Sequence, residues 1–297
     1  MKAAIALFLV GITSAFAGES LEDTYASQGR LIMAQLASAP FPHPSRADGH
    51  SYKGKLYTAK EHYSDNTVAI FIPNGFRPNA KVDFVVHFHG WNHTVANTLA
   101  EYHLVEQLVA SGKNAVLVVP EGPHDAPDSF GGKLEDQDGF AHFMNEVVDV
   151  LAARGQLPTK EKISVGRIIL SAHSGGYHVI AGILDHGGLP KNADEVWLFD
   201  SLYGQTDSFL GWADRTHGRL LDIYTDHGGT KQETEALIAR LTKRGTPLVA
   251  AEETKLDTGA LRTSPFTFIH TDLVHDDVVA KRGEFTLFLK TSGLEDR

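Results

Sequence analysis

The 297-residue sequence has no cysteine, no basic tract and, after residue 17, no apolar stretch long enough to cross a membrane. The missing cysteine excludes disulfide bonds, thiol nucleophiles and thiolate metal ligands, so the fold must be stabilised by its core alone. The formal net charge of −10, without any basic run, argues against nucleic acid as a partner. We therefore expect a protein that binds no nucleic acid and has no membrane span after its N-terminal leader.

Residues 1–17 have the features of a secretory signal peptide. Lys2 precedes an apolar run that ends in Ala15-Phe16-Ala17, a small-x-small cleavage site. A permanent N-terminal anchor is less favoured, because the run is too short to span a bilayer. We predict that residues 1–17 are removed and that the mature protein is secreted or periplasmic. Residues 18–297 are predicted to form a single domain, because no repeat, low-complexity tract or composition shift marks a second one.

The mature chain alternates between strand-like and helix-like segments. At its start, a helix is expected over roughly Leu21–Ser38, followed by an antiparallel hairpin of Ser51–Lys60 and Thr67–Pro73. Later helices are expected over Val95–Ser111 and, as the closing element, over Val278–Lys290. Strands that alternate with helices after a leading hairpin predict an α/β fold with a mostly parallel sheet and helices on both faces.

The segment RIILSAHSGGYHVI, residues 167–180, combines a buried strand, a sharp turn and a helix, with Ser174 at the turn. Where such a strand and helix pass closely, the residues two before and two after the serine must be small. Ala172 and Gly176 meet this requirement, although Ala172 replaces the glycine of the usual G-x-S-x-G motif. The strand–turn–helix context therefore predicts a nucleophile elbow with Ser174 as the nucleophile.

With the Ser174 elbow and an earlier His89-Gly90-Trp91 turn after a strand, residues 51–290 resemble the α/β-hydrolase fold. The resemblance is to secreted bacterial serine esterases of the feruloyl-esterase and polyester-depolymerase kind. It implies a triad in the chain order serine, acid, histidine, and a covalent acyl-enzyme. No cofactor is implied, and the substrate would be a small-molecule or polymeric ester. The backbone N–H groups of Trp91 and Gly175 would form the oxyanion hole.

The catalytic histidine is expected in the loop after the last strand. His275 begins the sequence HDDV there, which is similar to the H-x-x-V that members of the family often carry. An imidazole suits the role because its unperturbed pKa of about 6.5 lets it accept and return a proton near neutral pH. His270 lies inside the strand and is expected to be structural. His173, next to the nucleophile, cannot fold back to act as its base.

Two aspartates compete for the acid of the triad. Asp200 ends a predicted buried strand, where an unpaired carboxylate would be costly unless it met an imidazole N–H. Asp226 follows the next strand, at the commonest acid position of the family, but a turn or cap role also explains it. We favour Asp200, and Asp226 stays the alternative acid.

Two loops are expected to border the site. The loop over residues 121–138 is long for a structural connection. The segment over residues 203–218 occupies the place where this fold often inserts a lid. Because that segment is short, any lid would be small, and we expect an open site, which suits bulky or polymeric substrates.

Rival functions remain beside the ester hydrolase. His87, His89 and His93 form a cluster that resembles in part the H-x-H-x-D-H of zinc-dependent hydrolases. The cluster lacks the aspartate of that motif, and its third histidine comes one position later than in the motif, so no metal is expected. An amidase or peptidase that acts on cell-wall-type material is the main alternative, and a non-enzymatic binding protein is another. The sequence leaves the oligomeric state, the acyl and alcohol groups, and the choice of ester or amide open.

Overall fold

The computed structural model describes residues 20–157 and 163–297, and the predicted signal peptide lies outside them. These residues form a nine-stranded sheet with helices around it and a separate two-stranded sheet. The strands are β1 Gly29–Gln35, β2 His50–Tyr52, β3 Lys55–Tyr57, β4 Thr67–Pro73, β5 Lys81–Phe88, β6 Val116–Pro120, β7 Ser164–His173, β8 Ala193–Phe199, β9 Arg219–Thr225, β10 Val249–Glu252 and β11 Phe266–Thr271.

The described helices connect these strands on both sides of the large sheet. They are α1 Leu21–Thr24, α2 Ala59–His62, α3 Val95–Glu101, α4 Leu104–Ser111, α5 Gly139–Ala153, α6 Tyr177–His186, α7 Thr206–Thr216, α8 Lys231–Arg244, α9 Thr258–Thr263 and α10 Glu284–Thr291. Within residues 20–157 and 163–297, no helix is both long and apolar enough to cross a membrane.

The large sheet has the strand order β1-β4-β6-β5-β7-β8-β9-β11-β10. The pairs β1–β4 and β4–β6 are antiparallel, and every other neighbouring pair in this sheet is parallel. The prediction of a mostly parallel sheet is therefore confirmed. Because parallel strands point the same way, the carboxyl ends of β5, β7, β8, β9 and β11 meet at one edge, where ligands of open α/β sheets bind.

Two apolar layers cover the faces of this sheet. Phe143 of α5, Ile180 of α6 and Trp212 of α7 lie in one layer. Leu99 of α3 and Phe288 of α10 lie in the other. The central strands are therefore buried on both faces, which explains why they have continuous apolar runs rather than alternation.

The helix predicted over Leu21–Ser38 is wrong. Only the four residues of α1 are helical there, and β1 pairs with β4 along its whole length. Leu31 and Ile32 are buried in opposite apolar layers of the sheet. A run that is apolar on both faces lacks the period of two that marks a half-exposed strand, so periodicity did not separate the two structures.

The leading antiparallel hairpin is confirmed, but its strands differ from those expected. It consists of β2 and β3, whereas Thr67–Pro73 pairs with β1 and β6 instead.

Two of the helix predictions were too long. The helix predicted from Val95 is divided into α3 and α4 at His103, which has a φ of 48°. The closing helix begins at Glu284, directly after Gly283 with a φ of 79°.

Candidate active site

Ser174 lies in the turn between β7 and α6, with a φ of 53°. A non-glycine residue in this left-handed region costs roughly 1–3 kcal/mol, and such strained residues cluster at functional sites. A Cβ on Gly176 would lie 3.1 Å from the Cβ of Ala172 and 2.6 Å from the carbonyl oxygen of Phe88. The hydroxyl of Ser201 donates to the Ser174 carbonyl oxygen at 2.6 Å. Small neighbours and the end of β8 therefore hold Ser174 in this conformation.

Asp200 and His275 approach each other at the same edge of the sheet. Asp200 follows β8 and is fully buried, and its Oδ2 lies 2.7 Å from Nδ1 of His275. His275 begins the 3₁₀ turn that follows β11, and its side chain is 28% exposed. An ionised carboxylate can only accept, so Nδ1 carries the proton and Nε2 keeps its lone pair. This tautomer is the one that a general base requires.

Neighbouring donors keep the Asp200 carboxylate ionised. Burial alone would raise the pKa of Asp200, but hydrogen bonds from His275, Thr230 and Thr225 outweigh burial and hold this pKa below its usual range. The Thr225 hydroxyl donates at 2.9 Å, and the Thr230 hydroxyl also donates to the carboxylate. A Cβ on Gly228 would lie 1.5 Å from Asp200 Oδ2, so only glycine fits beside this carboxylate.

Asp226, the alternative acid, has a different partner. Its Oδ1 accepts from Nζ of Lys231 at 2.6 Å and lies 3.0 Å from Nε2 of His270. The other ring nitrogen of His270 lies 3.0 Å from Glu252 Oε2. The Asp226 side chain is 45% exposed. The structure therefore joins Asp200 with His275 and Asp226 with His270.

The His89-Gly90-Trp91 turn after β5 runs directly beside the serine. A Cβ on Gly90 would lie 2.6 Å from the Ser174 Cβ, which explains why glycine occupies this position. The Trp91 ring lies against Gly175, where an added Cβ would be 2.7 Å from Trp91 Cδ1. Among the described residues, the backbone N–H of Trp91 has no hydrogen-bond acceptor. The two segments expected to form an oxyanion hole are thus in contact next to Ser174.

His89 orients this turn. Its Nε2 accepts from the Gly122 N–H at 2.9 Å, so Nδ1 carries the proton and donates to the Gly90 carbonyl oxygen at 2.8 Å. In a planar trans peptide the C=O and the following N–H point in opposite directions. By holding the Gly90 carbonyl, His89 also fixes the direction of the Trp91 N–H.

The three histidines considered as zinc ligands have separate environments. His87 is fully buried, with its Nδ1 2.9 Å from Ser171 Oγ. His89 holds the turn, and His93 stacks on the Tyr102 ring with centroids 5.4 Å apart. Among residues 20–157 and 163–297, the side-chain groups that could converge on a metal ion do not include these three. The structure therefore does not bring these three side chains together as ligands of one ion.

His173 holds the backbone of His275 through a hydrogen bond, a role that the sequence did not reveal. A carbonyl only accepts, so His173 Nε2 donates to the His275 carbonyl oxygen at 2.9 Å, and Nδ1 accepts from the Tyr102 hydroxyl at 2.8 Å. Burial, with a smaller effect of His275, lowers the pKa of His173 to about 3. The ring therefore stays neutral and keeps this hydrogen-bond pattern near neutral pH. Its place beside Ser174 was the only sequence signal of this role.

Aromatic residues lie near the serine on two sides. Trp91 is 38% exposed on the β5 side. On the β8 side, the Tyr203 ring centroid lies 6.4 Å from that of His275 and 5.8 Å from that of Tyr177. Burial, with a smaller effect of Asp200, raises the pKa of Tyr203 to about 12. The Tyr203 hydroxyl donates to the Gly228 carbonyl oxygen, which holds the ring beside His275.

Of the two segments expected to border the site, one reaches it and the other packs on the core. Ser129, in the long loop after β6, accepts a hydrogen bond from Trp91 Nε1 at 2.8 Å, so this loop does reach the site. Most of the segment over residues 203–218 is α7, whose Phe209 and Trp212 are fully buried against the sheet. This helix therefore packs on the core and does not form a lid.

Comparisons with known proteins establish the fold. No protein-family model matches the sequence, and no curated protein matches it. A mutant of the feruloyl esterase module from Clostridium thermocellum, complexed with sinapinate, is 12% identical with a TM-score of 0.52, over 89% of this chain and 88% of that chain. The fluorophosphonate-binding serine hydrolase F of Staphylococcus aureus is 11% identical with a TM-score of 0.51, over 89% and 99%. The chain has the α/β-hydrolase fold.

Proposed function

We propose that the protein is a serine hydrolase that cleaves carboxylic esters, with Ser174 as nucleophile, His275 as general base and Asp200 as the acid. The observation that carries this proposal is the 2.7 Å contact between His275 Nδ1 and the buried Asp200 carboxylate, at the sheet edge where the strained Ser174 turn ends β7. A triad is recognised by such geometry and roles rather than by sequence position.

The arrangement supports acyl transfer in two steps. In the first step Ser174 Oγ attacks the ester carbonyl carbon while Nε2 of His275 accepts the hydroxyl proton. The tetrahedral intermediate collapses, the C–O bond to the alcohol breaks, and His275 returns the proton to that alcohol. In the second step water attacks the acyl-enzyme with the same base, releasing the acid and free Ser174. Asp200 keeps the imidazole in its tautomer and stabilises the imidazolium throughout.

The backbone N–H groups of Trp91 and Gly175 are the proposed oxyanion donors. Trp91 N–H has no acceptor among the described residues, and His89 fixes its direction through the Gly90 carbonyl. Donors that are oriented before the reaction cost no reorganisation when negative charge develops on the carbonyl oxygen. Losing one such donor typically lowers kcat by about 10²–10³-fold.

The nearby Ser171 is a poorer candidate for the nucleophile. It lies within β7 and is fully buried, and its hydroxyl is 2.9 Å from the equally buried His87. Ser174, in contrast, is partly exposed at the edge of the sheet. Only Ser174 combines substrate access, a strained turn and contact with the oxyanion segments.

The surroundings of Ser174 support esters of aromatic acids as substrates. The Trp91 ring against Gly175 and the Tyr203 ring beside His275 offer flat surfaces near the proposed nucleophile, and rings stack well on planar acyl groups. One similar structure is a feruloyl esterase module complexed with sinapinate, and another is a fluorophosphonate-binding hydrolase. The predicted leader over residues 1–17 supports a secreted or periplasmic location, where small or polymeric esters would be accessible.

Labelling with a fluorophosphonate probe tests the proposal. Wild type should be labelled and should hydrolyse p-nitrophenyl acetate and methyl ferulate faster than a peptide amide. Ser174→Ala should lose labelling and lower kcat by on the order of 10⁶-fold, because the residual rate comes from binding and the oxyanion hole. Ser171→Ala is the matched control and should still be labelled. Labelling of a folded Ser174→Ala variant, or amide turnover above ester turnover, would contradict the proposal.

A further inference from the structure

Three side chains outside the candidate active site converge beside β4 and β6. Asp65 precedes β4, Glu121 follows β6, and His124 lies three residues further on. The Glu121 N–H donates to the Thr67 carbonyl oxygen at 2.9 Å, which holds the two strand ends together. One ligand atom from each of the three side chains lies within 4.8 Å of the others.

Two polar atoms of this cluster are buried without a hydrogen-bond partner among the described residues. They are Oε1 of Glu121 and Nδ1 of His124. Glu121 is only 2% exposed, and its other oxygen, Oε2, accepts from the Val95 N–H at 3.0 Å. Oε1 lies 3.3 Å from Nε2 of His89, but that nitrogen already accepts from Gly122. Of the two unpartnered atoms, Nδ1 of His124 is the one that faces the carboxylates of Asp65 and Glu121. A buried polar atom without a partner is costly, so its place requires an explanation.

The distances in the cluster are those of ligands around one ion. His124 Nδ1 lies 3.6 Å from Glu121 Oε2 and 3.7 Å from Asp65 Oδ2. Both distances exceed those of hydrogen bonds. They are close to the separation of about 3.4 Å between neighbouring ligands of a tetrahedral ion with arms of 2.0–2.2 Å.

We propose that Asp65, Glu121 and His124 bind a divalent transition metal of the zinc type, with water in the fourth position. One imidazole and two carboxylates suit Zn²⁺, whereas Mg²⁺ and Ca²⁺ prefer oxygen ligands alone. The two negative charges of the carboxylates balance the charge of the ion. The His124 and Asp65 side chains are 38% and 34% exposed, so an ion and its water can enter from solvent.

The ion would add a link between the ends of β4 and β6, which already pair in the sheet. Glu121 caps the start of α3 through the Val95 N–H, and its neighbour Gly122 holds His89 in the turn beside Ser174. The turn at Asp65 is fixed by the bond from the Thr67 N–H to Asp65 Oδ1 at 2.8 Å. Zinc would therefore stabilise the folded protein, and it would do so without taking part in ester cleavage.

Calorimetric titration of untagged, EDTA-treated protein with Zn²⁺ tests the inference. Wild type should bind one equivalent, and its melting temperature should rise, because an ion that binds only the folded state stabilises it. His124→Gln and Asp65→Asn should each lower the zinc affinity at least about tenfold. Asp65→Asn keeps the acceptor for Thr67, so it should fold even if His124→Gln does not. His142→Gln, at an exposed histidine of α5, is the matched control and should bind zinc like wild type.

Two results would overturn the inference. One is the absence of saturable zinc binding by wild type. The other is a zinc equivalent that persists unchanged in both His124→Gln and Asp65→Asn, which would place the ion at another of the histidines. The esterase proposal does not depend on either result, because labelling of Ser174 is measured on metal-free protein.

Discussion

Two aspartate–histidine pairs lie at the carboxyl ends of neighbouring strands and differ in almost every physical respect. In the pair of Asp200 with His275, the carboxylate is fully buried and accepts from threonine hydroxyls as well as the imidazole. In the pair of Asp226 with His270, the carboxylate is 45% exposed and shared with Lys231. The residue types are the same, so our proposal rests on burial and the surrounding donors, which favour the first pair as the catalytic one.

The energetics of the two pairs differ for the same reason. An exposed ion pair is screened by water and contributes little to the free energy of unfolding. Removing one partner of a buried, hydrogen-bonded charge leaves the other uncompensated and costs several kcal/mol. Substitutions in the first pair should therefore change both activity and fold stability, whereas those in the second should change little.

The largest difference should appear on removal of the two histidines. His275→Ala should lower kcat by on the order of 10⁶-fold, because the base that deprotonates Ser174 is lost. His270→Ala removes an imidazole that contacts Asp226 and Glu252 but not Asp200, so kcat should be nearly unchanged. Steady-state hydrolysis of p-nitrophenyl acetate by both variants measures the difference. If His270→Ala were inactive and His275→Ala active, the general base would be His270, and our assignment of His275 would be wrong.

The second largest effect is expected for the acid. Asp200→Asn should lower kcat by about 10⁴-fold, since the amide can donate to Nδ1 and thereby moves the imidazole proton to Nε2. Labelling by a fluorophosphonate probe should slow in parallel, while circular dichroism should show a folded protein. Thr225→Val, which removes one donor to the carboxylate but leaves its charge, should cost far less activity. Normal turnover by Asp200→Asn would exclude this residue as the acid.

The two pairs also show which features of the site can be predicted from the sequence. The Ser174 elbow is a local pattern, since strand, small residues and helix follow one another, and the structure has that strand and helix. Asp200 and Asp226 each follow directly on a predicted strand, so sequence offers both the same position relative to the sheet edge. Which carboxylate is buried depends on contacts with Thr230 and Gly228, and which histidine it meets depends on the path of the loop after β11. These are long-range contacts that no local pattern specifies.

The same limit explains the errors in the fold. β1 was taken for a helix because its partner β4 lies about forty residues further along the chain, and only that pairing makes the segment extended. His173 was placed near the elbow, but its bond to the backbone of His275 spans 102 residues. The sequence therefore predicted the residues of the candidate site that follow from local patterns. It did not predict the long-range contacts that position them.

His173 should have an intermediate effect, as a positioning residue. His173→Phe keeps an aromatic ring but loses the donor to the His275 carbonyl, so we expect kcat to fall by about 10–100-fold with little change in KM. Tyr102→Phe is the matched control, because it removes the bond to Nδ1 and leaves the donor at Nε2. Equal kcat values for His173→Phe and wild type would reduce this histidine to a packing role.

The same substitution should change the response of stability to acid. His173 has a folded-state pKa lowered to about 3 by burial, whereas an unfolded histidine titrates near 6.5. The unfolded chain therefore binds an extra proton between these values, and wild type loses stability as pH falls from about 6.5 towards 3. Thermal melts of wild type and His173→Phe between pH 8 and pH 4 should converge as pH falls. If the melting temperatures of the two proteins changed with pH in parallel, the buried, neutral state of His173 would be contradicted.

The smallest effect belongs to Asp226. Asp226→Asn should keep kcat within about twofold of wild type, because the contacts it weakens, to Lys231 and His270, are exposed. Burial would lower the pKa of His270, but Glu252 and Asp226 outweigh it and raise this pKa. The contribution of the His270 pair to stability is therefore present below about pH 6.5 and is lost as pH rises through the raised pKa. A slight loss of thermal stability in Asp226→Asn should accordingly be larger at pH 6 than at pH 9. An inactive Asp226→Asn would reverse the comparison, because the exposed pair would then hold the catalytic acid and Asp200 would be a buried structural residue.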